Sequence, residues 1–296
     1  MGDSNLSFIG IGAQKAGTSW LFKQFEKSNQ IELPPIKELH YFDRGKNYPS
    51  RNHKSESKLY KRLFNLKWTR SAIRTLQNNK SDREWYKNWF FSEYNDKWYL
   101  SLFKDYTKTT GEITPAYAIL NENDVYRMSK LLGSKTKIIF MLRHPVERSW
   151  SSFKYRFKRN EKLFEDHDFA KKYFLSEEHL VRCDYVRTIN LYKKYFDSVF
   201  IGFFDAIVEN PELLLQNIFE YLELDIEEIN TFSGLTERVN TSKSIRMPNE
   251  LRSFLEEMHK EKIVLLSSLY GEYFKKWENP TSYPEKKYFS PSLVVS

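Results

Sequence analysis

The chain has 296 residues, 47 Lys and Arg against 39 Asp and Glu, and a formal net charge of +8. With 23 Phe, 19 Tyr and 7 Trp it has ample material for a core, which excludes a disordered or collagen-like chain. A single cysteine, Cys183, excludes an intrachain disulfide and fits a reducing compartment.

The start, Met1 to Phe8, reads as neither a signal nor a transit peptide. No apolar run is long enough for a membrane span, and a soluble, cytoplasmic protein is expected. Leu6 to Ile11, Lys137 to Leu142 and Ser198 to Phe204 are short apolar runs without alternation, the pattern of parallel strands covered on both faces. Helical patterns follow each, over Thr18 to Asn29, Val146 to Arg159 and Pro211 to Leu222. Pro145 and Pro211 stand where helices begin. Alternating strands and helices predict an α/β fold with a central parallel sheet flanked by helices, in one domain over residues 1–296. A short strand is expected near Ile31 to Leu33, and a late helix over Asn249 to Lys276. Residues 44–110 read as a mostly helical insertion rich in Lys, Asn, Ser and Trp.

Three of the ten glycines lie within eight residues, at Gly10, Gly12 and Gly17. They join a strand to a helix, which is the setting in which backbone N–H groups and a helix N-terminus cradle an anion. Gly12 and Gly17 have the spacing of a nucleotide-triphosphatase loop, G-x4-G-K-[ST]. Thr18 follows Gly17 instead of Lys, and the lysine stands inside the loop at Lys15. The alternative of a P-loop kinase, which predicts ATP and magnesium, is weakened by that displacement. Gln14-Lys15-Ala16-Gly17-Thr18-Ser19-Trp20-Leu21 closely resembles the 5′-phosphosulfate loop of the sulfotransferases that use 3′-phosphoadenosine 5′-phosphosulfate (PAPS), written P-K-[SA]-G-T-[TS]-W-L.

Arg143 ends the second apolar run, at the edge of a parallel sheet where ligands collect, and Ser151 follows two turns into the next helix. An arginine fork and a compact hydroxyl suit a phosphate monoester. The segment resembles the family's 3′-phosphate motif, R-x-P-x-[ED]-R-x-x-S-x-[YF], with Arg143, Pro145, Glu147, Arg148 and Ser151 matching. Two such motifs in the right order identify the chain as resembling PAPS-dependent sulfotransferases.

Lys37-Glu38-Leu39-His40-Tyr41-Phe42-Asp43 is similar to the K-E-x-H-[FY]-F-D segment of the carbohydrate sulfotransferases, the heparan sulfate type in particular. The resemblance implies Glu38 as the base that takes the acceptor proton, with His40 as the alternative, and Lys15 as the cation beside the leaving phosphate. It implies Lys15, Ala16, Gly17, Thr18, Ser19, Trp20, Arg143, Ser151 and Tyr185 at the nucleotide, with Arg238 or Lys243 closing from a late loop. Gly111-Glu112-Ile113-Thr114-Pro115-Ala116-Tyr117 resembles the family's G-E-K-[ST]-P-x-Y, with Ile113 in the lysine position, which argues against a highly anionic, heparan-like acceptor.

The expected acceptor is a hydroxylated molecule, a glycan or glycosylated small molecule, recognised by residues 44–110. Scattered histidines show no metal spacing, so no metal is expected. The basic run Lys154, Arg156, Lys158, Arg159 and Lys162 reads as a solvated helix face or as a docking site for an acidic acceptor. A nucleic-acid-binding module is the third class that +8 allows, but no recognition motif supports it. Trp85, Tyr86, Trp89, Trp98 and Tyr99 read as core before they read as sugar platforms.

Overall fold

The structure is a computed structural model. It describes residues 6–45, 48, 65–103, 107–237, 245–278 and 291–296. Arg238 and Lys243, the late-loop candidates, lie outside the described residues, as does part of the expected insertion.

Among the described residues one sheet has six strands: β1 (Phe8–Gly12), β2 (Ile31–Glu32), β3 (Thr109–Ile113), β4 (Lys137–Leu142), β5 (Val199–Phe203) and β6 (Ser292–Val295). Their order is β2-β3-β1-β4-β5-β6. β1 to β5 are parallel, and β6 pairs antiparallel with β5 at the edge. The helices are α1 (Thr18–Phe25), α2 (Leu66–Asn78), α3 (Arg83–Phe91), α4 (Asp96–Leu100), α5 (Glu122–Leu132), α6 (Pro145–Arg156), α7 (His167–Phe174), α8 (Glu177–Cys183), α9 (Tyr185–Lys193), α10 (Phe204–Glu209), α11 (Pro211–Leu222), α12 (Asn249–Tyr270) and α13 (Glu272–Glu278).

The expected α/β architecture is the observed one, because β1, β4 and β5 are buried on both faces. Ile138, Ile139, Phe140 and Ile201 are completely buried, each contributing about 1.5–3 kcal/mol of apolar transfer. Pro145 and Pro211 occupy first helical turns, and Asn210 caps α11 by accepting from the Leu213 N–H. Three helical ranges come out shorter than the pattern suggests, α6 among them, which ends at Arg156 rather than Arg159. α1 stops at Phe25, short of Asn29. The late helix is two, α12 and α13, because Gly271 turns left-handed at φ 86° between them. Where described, residues 44–110 carry three helices joined by turns, α2 to α4, and β3 begins at Thr109 inside that range. Trp85, Tyr86, Trp89, Trp98 and Tyr99 are buried in the same apolar cluster as the sheet, so they are core.

Parallel strands deliver all their following loops to one edge. β1 is the switch point: the chain turns to β3 on one side of it and to β4 on the other. The loops after β1, β2 and β4 therefore meet over the middle of the sheet, where such folds collect ligands.

Candidate functional site

The loop after β1 carries Lys15 and Gly17, both left-handed, at φ 71° and 91°. Such alternation turns successive N–H groups to one side as a nest for an anion. Gly17 caps α1 at a positive φ that favours glycine, and a Cβ there would lie 2.3 Å from Ile207 Cδ1, which would have to shift. Ala16 and Thr18 are buried, and Ser19 is half-buried. The Trp20 indole is buried and donates to the Leu235 carbonyl at 2.8 Å. It therefore ties α1 to the segment before the late loop.

Arg143 follows β4 and donates Nη1 to the Lys15 carbonyl at 3.4 Å, tying the two anion loops together. Its guanidinium stacks over the Phe204 ring at 4.3 Å. Tyr185, expected at the nucleotide, is 1% exposed and donates its hydroxyl to the Arg143 carbonyl at 2.8 Å. It supports Arg143 from below. Ser151 is half-buried and shares its face of α6 with Lys154 and Tyr155, three and four residues on. That face turns toward the first loop, since the Lys15 ammonium sits 4.2 Å above the Tyr155 ring. Lys158 approaches the same ring at 4.9 Å.

Cations thus outnumber anions here. Burial lowers the Lys15 pKa, and Arg143, Lys158, Lys154 and Lys37 lower it further. Burial also lowers Arg143, against the pull of Glu147 and Asp205. Lys154 falls through burial and the nearby Arg143. Cations that depress one another in a half-buried cluster form a site for an anion, whose arrival relieves the repulsion. Lys154 and Lys158, read in the sequence only as part of a basic run, belong to this cluster. The missed signal is the helical spacing of Lys154 from Ser151; Lys158 lies in the turn that follows α6.

The loop after β2 supplies the opposing charges. Glu38 and His40 are left-handed, at φ 67° and 55°. With Lys15, they account for three of the four non-glycine residues of positive φ among the described residues. Such strain collects at functional sites. Lys37 Nζ lies 2.9 Å from Glu38 Oε1 and 3.3 Å from the Ser19 hydroxyl, so one lysine bridges the β2 loop to α1. His40 stands between two carboxylates, with Nδ1 2.7 Å from Asp43 Oδ2 and Nε2 3.4 Å from Glu38 Oε2. The Asp43 side chain is fully buried. Only the doubly protonated ring can donate to both. Burial raises the Glu38 pKa, but the hydrogen bonds from His40 and Lys37 win and hold it down at about 2. Glu38 is thus an ionised acceptor. Lys37, which the sequence offered only as the first residue of the motif, is the bridging residue.

Ile113 is buried against Gly10 and presents nothing to the cleft. Elsewhere, His179, Cys183 and His259 converge from α8 and α12, with ligand atoms within 4.8 Å of one another, although their spacing in sequence gave no sign of it. Ser149 Oγ lies 2.9 Å from His179 Nε2, and Arg148 donates to Cys183 Sγ at 2.7 Å. Arg148 is fully buried, and it lowers both histidine pKa values, to about 2 and about 3, after burial itself. A fixed guanidinium opposes a cation there, so this cluster reads as a polar tie between α6, α8 and α12.

No protein-family model matches the chain, and no curated protein matches it. Solved structures do. A sulfotransferase from Alicyclobacillus acidocaldarius superposes with a TM-score of 0.61 at 18% identity, over 92% of this chain and 98% of that one. The sulfotransferase domain of the Synechococcus PCC 7002 olefin synthase gives 0.49 at 13% identity, over 87% and 96%. Sulfotransferase STF9 from Mycobacterium avium gives 0.48 at 12% identity, over 92% and 78%. The first of these likenesses establishes a sulfotransferase fold. Among the described residues no helix is long and apolar enough to cross a membrane.

Proposed function

We propose that this protein moves a sulfuryl group from PAPS to an acceptor hydroxyl. The observation that carries the reading is the meeting, over the β1 switch point, of a lysine-bearing anion nest, a second arginine site and an ionised carboxylate bridged to the nest through Lys37. The residues fit a nucleotide with two separate phosphate positions. The loop amides, Lys15, Thr18 and Ser19 would hold the 5′-phosphosulfate, and Arg143 with Ser151 the 3′-phosphate. When bound, PAPS supplies an activated sulfuryl group and an adenosine bisphosphate leaving group.

Glu38 accepts the acceptor's hydroxyl proton as the oxygen–sulfur bond forms in line with the breaking sulfur–phosphate oxygen bond. Lys15 faces the negative charge that grows on the leaving phosphate. His40, backed by Asp43, steers the Glu38 carboxylate; it would serve as the alternative base only as a neutral ring, with its contact to Glu38 given up.

We assign the acceptor to hydroxylated carbohydrates, supported by the resemblance of Lys37 to Asp43 to the glycan enzymes. Ile113, in place of a lysine, favours a less anionic acceptor than heparan. Sulfuryl transfer from labelled PAPS to a panel of glycans and phenols tests both parts. Lys15→Ala and Glu38→Ala should each lower transfer at least about a hundredfold with the fold intact. Transfer to phenols but to no glycan would remove the carbohydrate assignment. Full activity in either variant would remove that residue's role.

A further inference from the structure

Glu112 on β3 is 1% exposed and is met by four donors. Oε1 accepts from the hydroxyls of Tyr99 at 2.7 Å and Tyr117 at 2.9 Å. Oε2 accepts from the Thr114 hydroxyl at 2.6 Å and from the Leu39 N–H at 3.3 Å. The Tyr117 hydroxyl itself accepts from the Tyr41 N–H at 2.8 Å. The two amides that flank His40, at Leu39 and Tyr41, therefore run to one buried carboxylate, directly or through one tyrosine. Between and before them stand the two left-handed residues, Glu38 and His40.

A left-handed backbone at non-glycine residues persists only where its surroundings over-determine it. The fixed amides on either side of His40 do this. α4 adds to the grip, because Tyr99 also stacks on Tyr41 at 4.5 Å and 11°. The residue that binds the catalytic loop to the sheet is thus Glu112, which no acceptor or nucleotide reaches.

We propose that Glu112 is a positioning residue for sulfuryl transfer: its carboxylate holds the Lys37 to Asp43 loop in the conformation that aims Glu38 and His40 at the cation cluster. This rests on the sulfotransferase reading. Burial raises the Glu112 pKa against the lowering effect of its hydrogen bonds. The four donors nonetheless fill every lone-pair direction of a carboxylate, whereas an amide can present only one oxygen to them.

Glu112→Gln is the test, with Tyr117→Phe as a second variant that removes the relay to the Tyr41 amide and leaves the carboxylate in place. Each should lower kcat at least tenfold per folded molecule, while the KM for PAPS and the affinity for 3′-phosphoadenosine 5′-phosphate stay within twofold. The His40 ring resonances, identified by their loss in His40→Gln, should shift in both variants. A lowered melting temperature with kcat and His40 resonances unchanged would reduce Glu112 to a stability residue and overturn the proposal. If the unmodified protein neither binds the bisphosphate nor transfers a sulfuryl group, the catalytic part falls with its parent reading. The His40 shifts then still decide whether Glu112 holds the loop.

Discussion

Gly17→Ala probes whether the anion nest is built as described. Gly17 holds φ 91°, where an alanine costs about 1–2 kcal/mol. Its new Cβ would also stand 2.3 Å from Ile207 Cδ1 and 3.3 Å from Phe204 Cδ2. Relieving that overlap adds about 1–3 kcal/mol, toward the lower end because Ile207 can yield at its tip. The sum, about 2–5 kcal/mol, is a large share of a typical stability and corresponds to a melting-point loss of about 4–10 °C at this chain length. Urea denaturation of Gly17→Ala, Ile207→Ala and the double variant separates the two contributions. In the Ile207→Ala background the severe overlap is gone and only the 3.3 Å approach to Phe204 remains, so Gly17→Ala should cost about 1–2 kcal/mol. Equal costs in both backgrounds, or less than about 0.5 kcal/mol in the native background, would refute the description of this loop.

Glu38 offers a pH test. Its pKa falls from an ordinary 4.5 to about 2, so it is ionised at neutral pH and well below it. The stability it lends is complete above pH 4.5 and is lost as pH falls from there through 2. The kcat/KM profile should therefore show no acid limb from Glu38 near 4.5, and Lys37→Met should raise its pKa and bring such a limb upward; a wild-type limb at 4.5 would contradict the Lys37 and His40 contacts. Tyr185→Phe leaves the Arg143 carbonyl without its buried donor and should cost about 1–3 kcal/mol in urea, together with weaker nucleotide binding. Unchanged values would return Tyr185 to an ordinary core residue.

The legible parts of the sequence were those governed by local pattern. β1, β4 and β5 are unbroken apolar runs, and the glycines, Lys15, Arg143 and Ser151 are spaced by turns and helices whose geometry is fixed. β3 was hidden because Thr109–Ile113 carries Glu112, a residue that burial tolerates only with the four donors that tertiary structure brings. β6 was hidden for another reason: it is a four-residue edge strand that pairs with β5 across a long stretch of chain. At the site, Glu38 and His40 were readable as residues, but their left-handed backbone was not, since it is imposed by amide partners more than 70 residues away. The burial of Tyr185 and Trp20 was not readable either, since it depends on packing between distant segments.

The most direct test of the central claim is calorimetric titration with 3′-phosphoadenosine 5′-phosphate, with ATP and magnesium as the comparison. Saturable one-to-one binding of the bisphosphate is expected, weakened at least about tenfold in Arg143→Ala through loss of a charge-assisted contact. Binding of ATP with magnesium in preference to the bisphosphate, or bisphosphate binding indifferent to Arg143→Ala, would contradict the account.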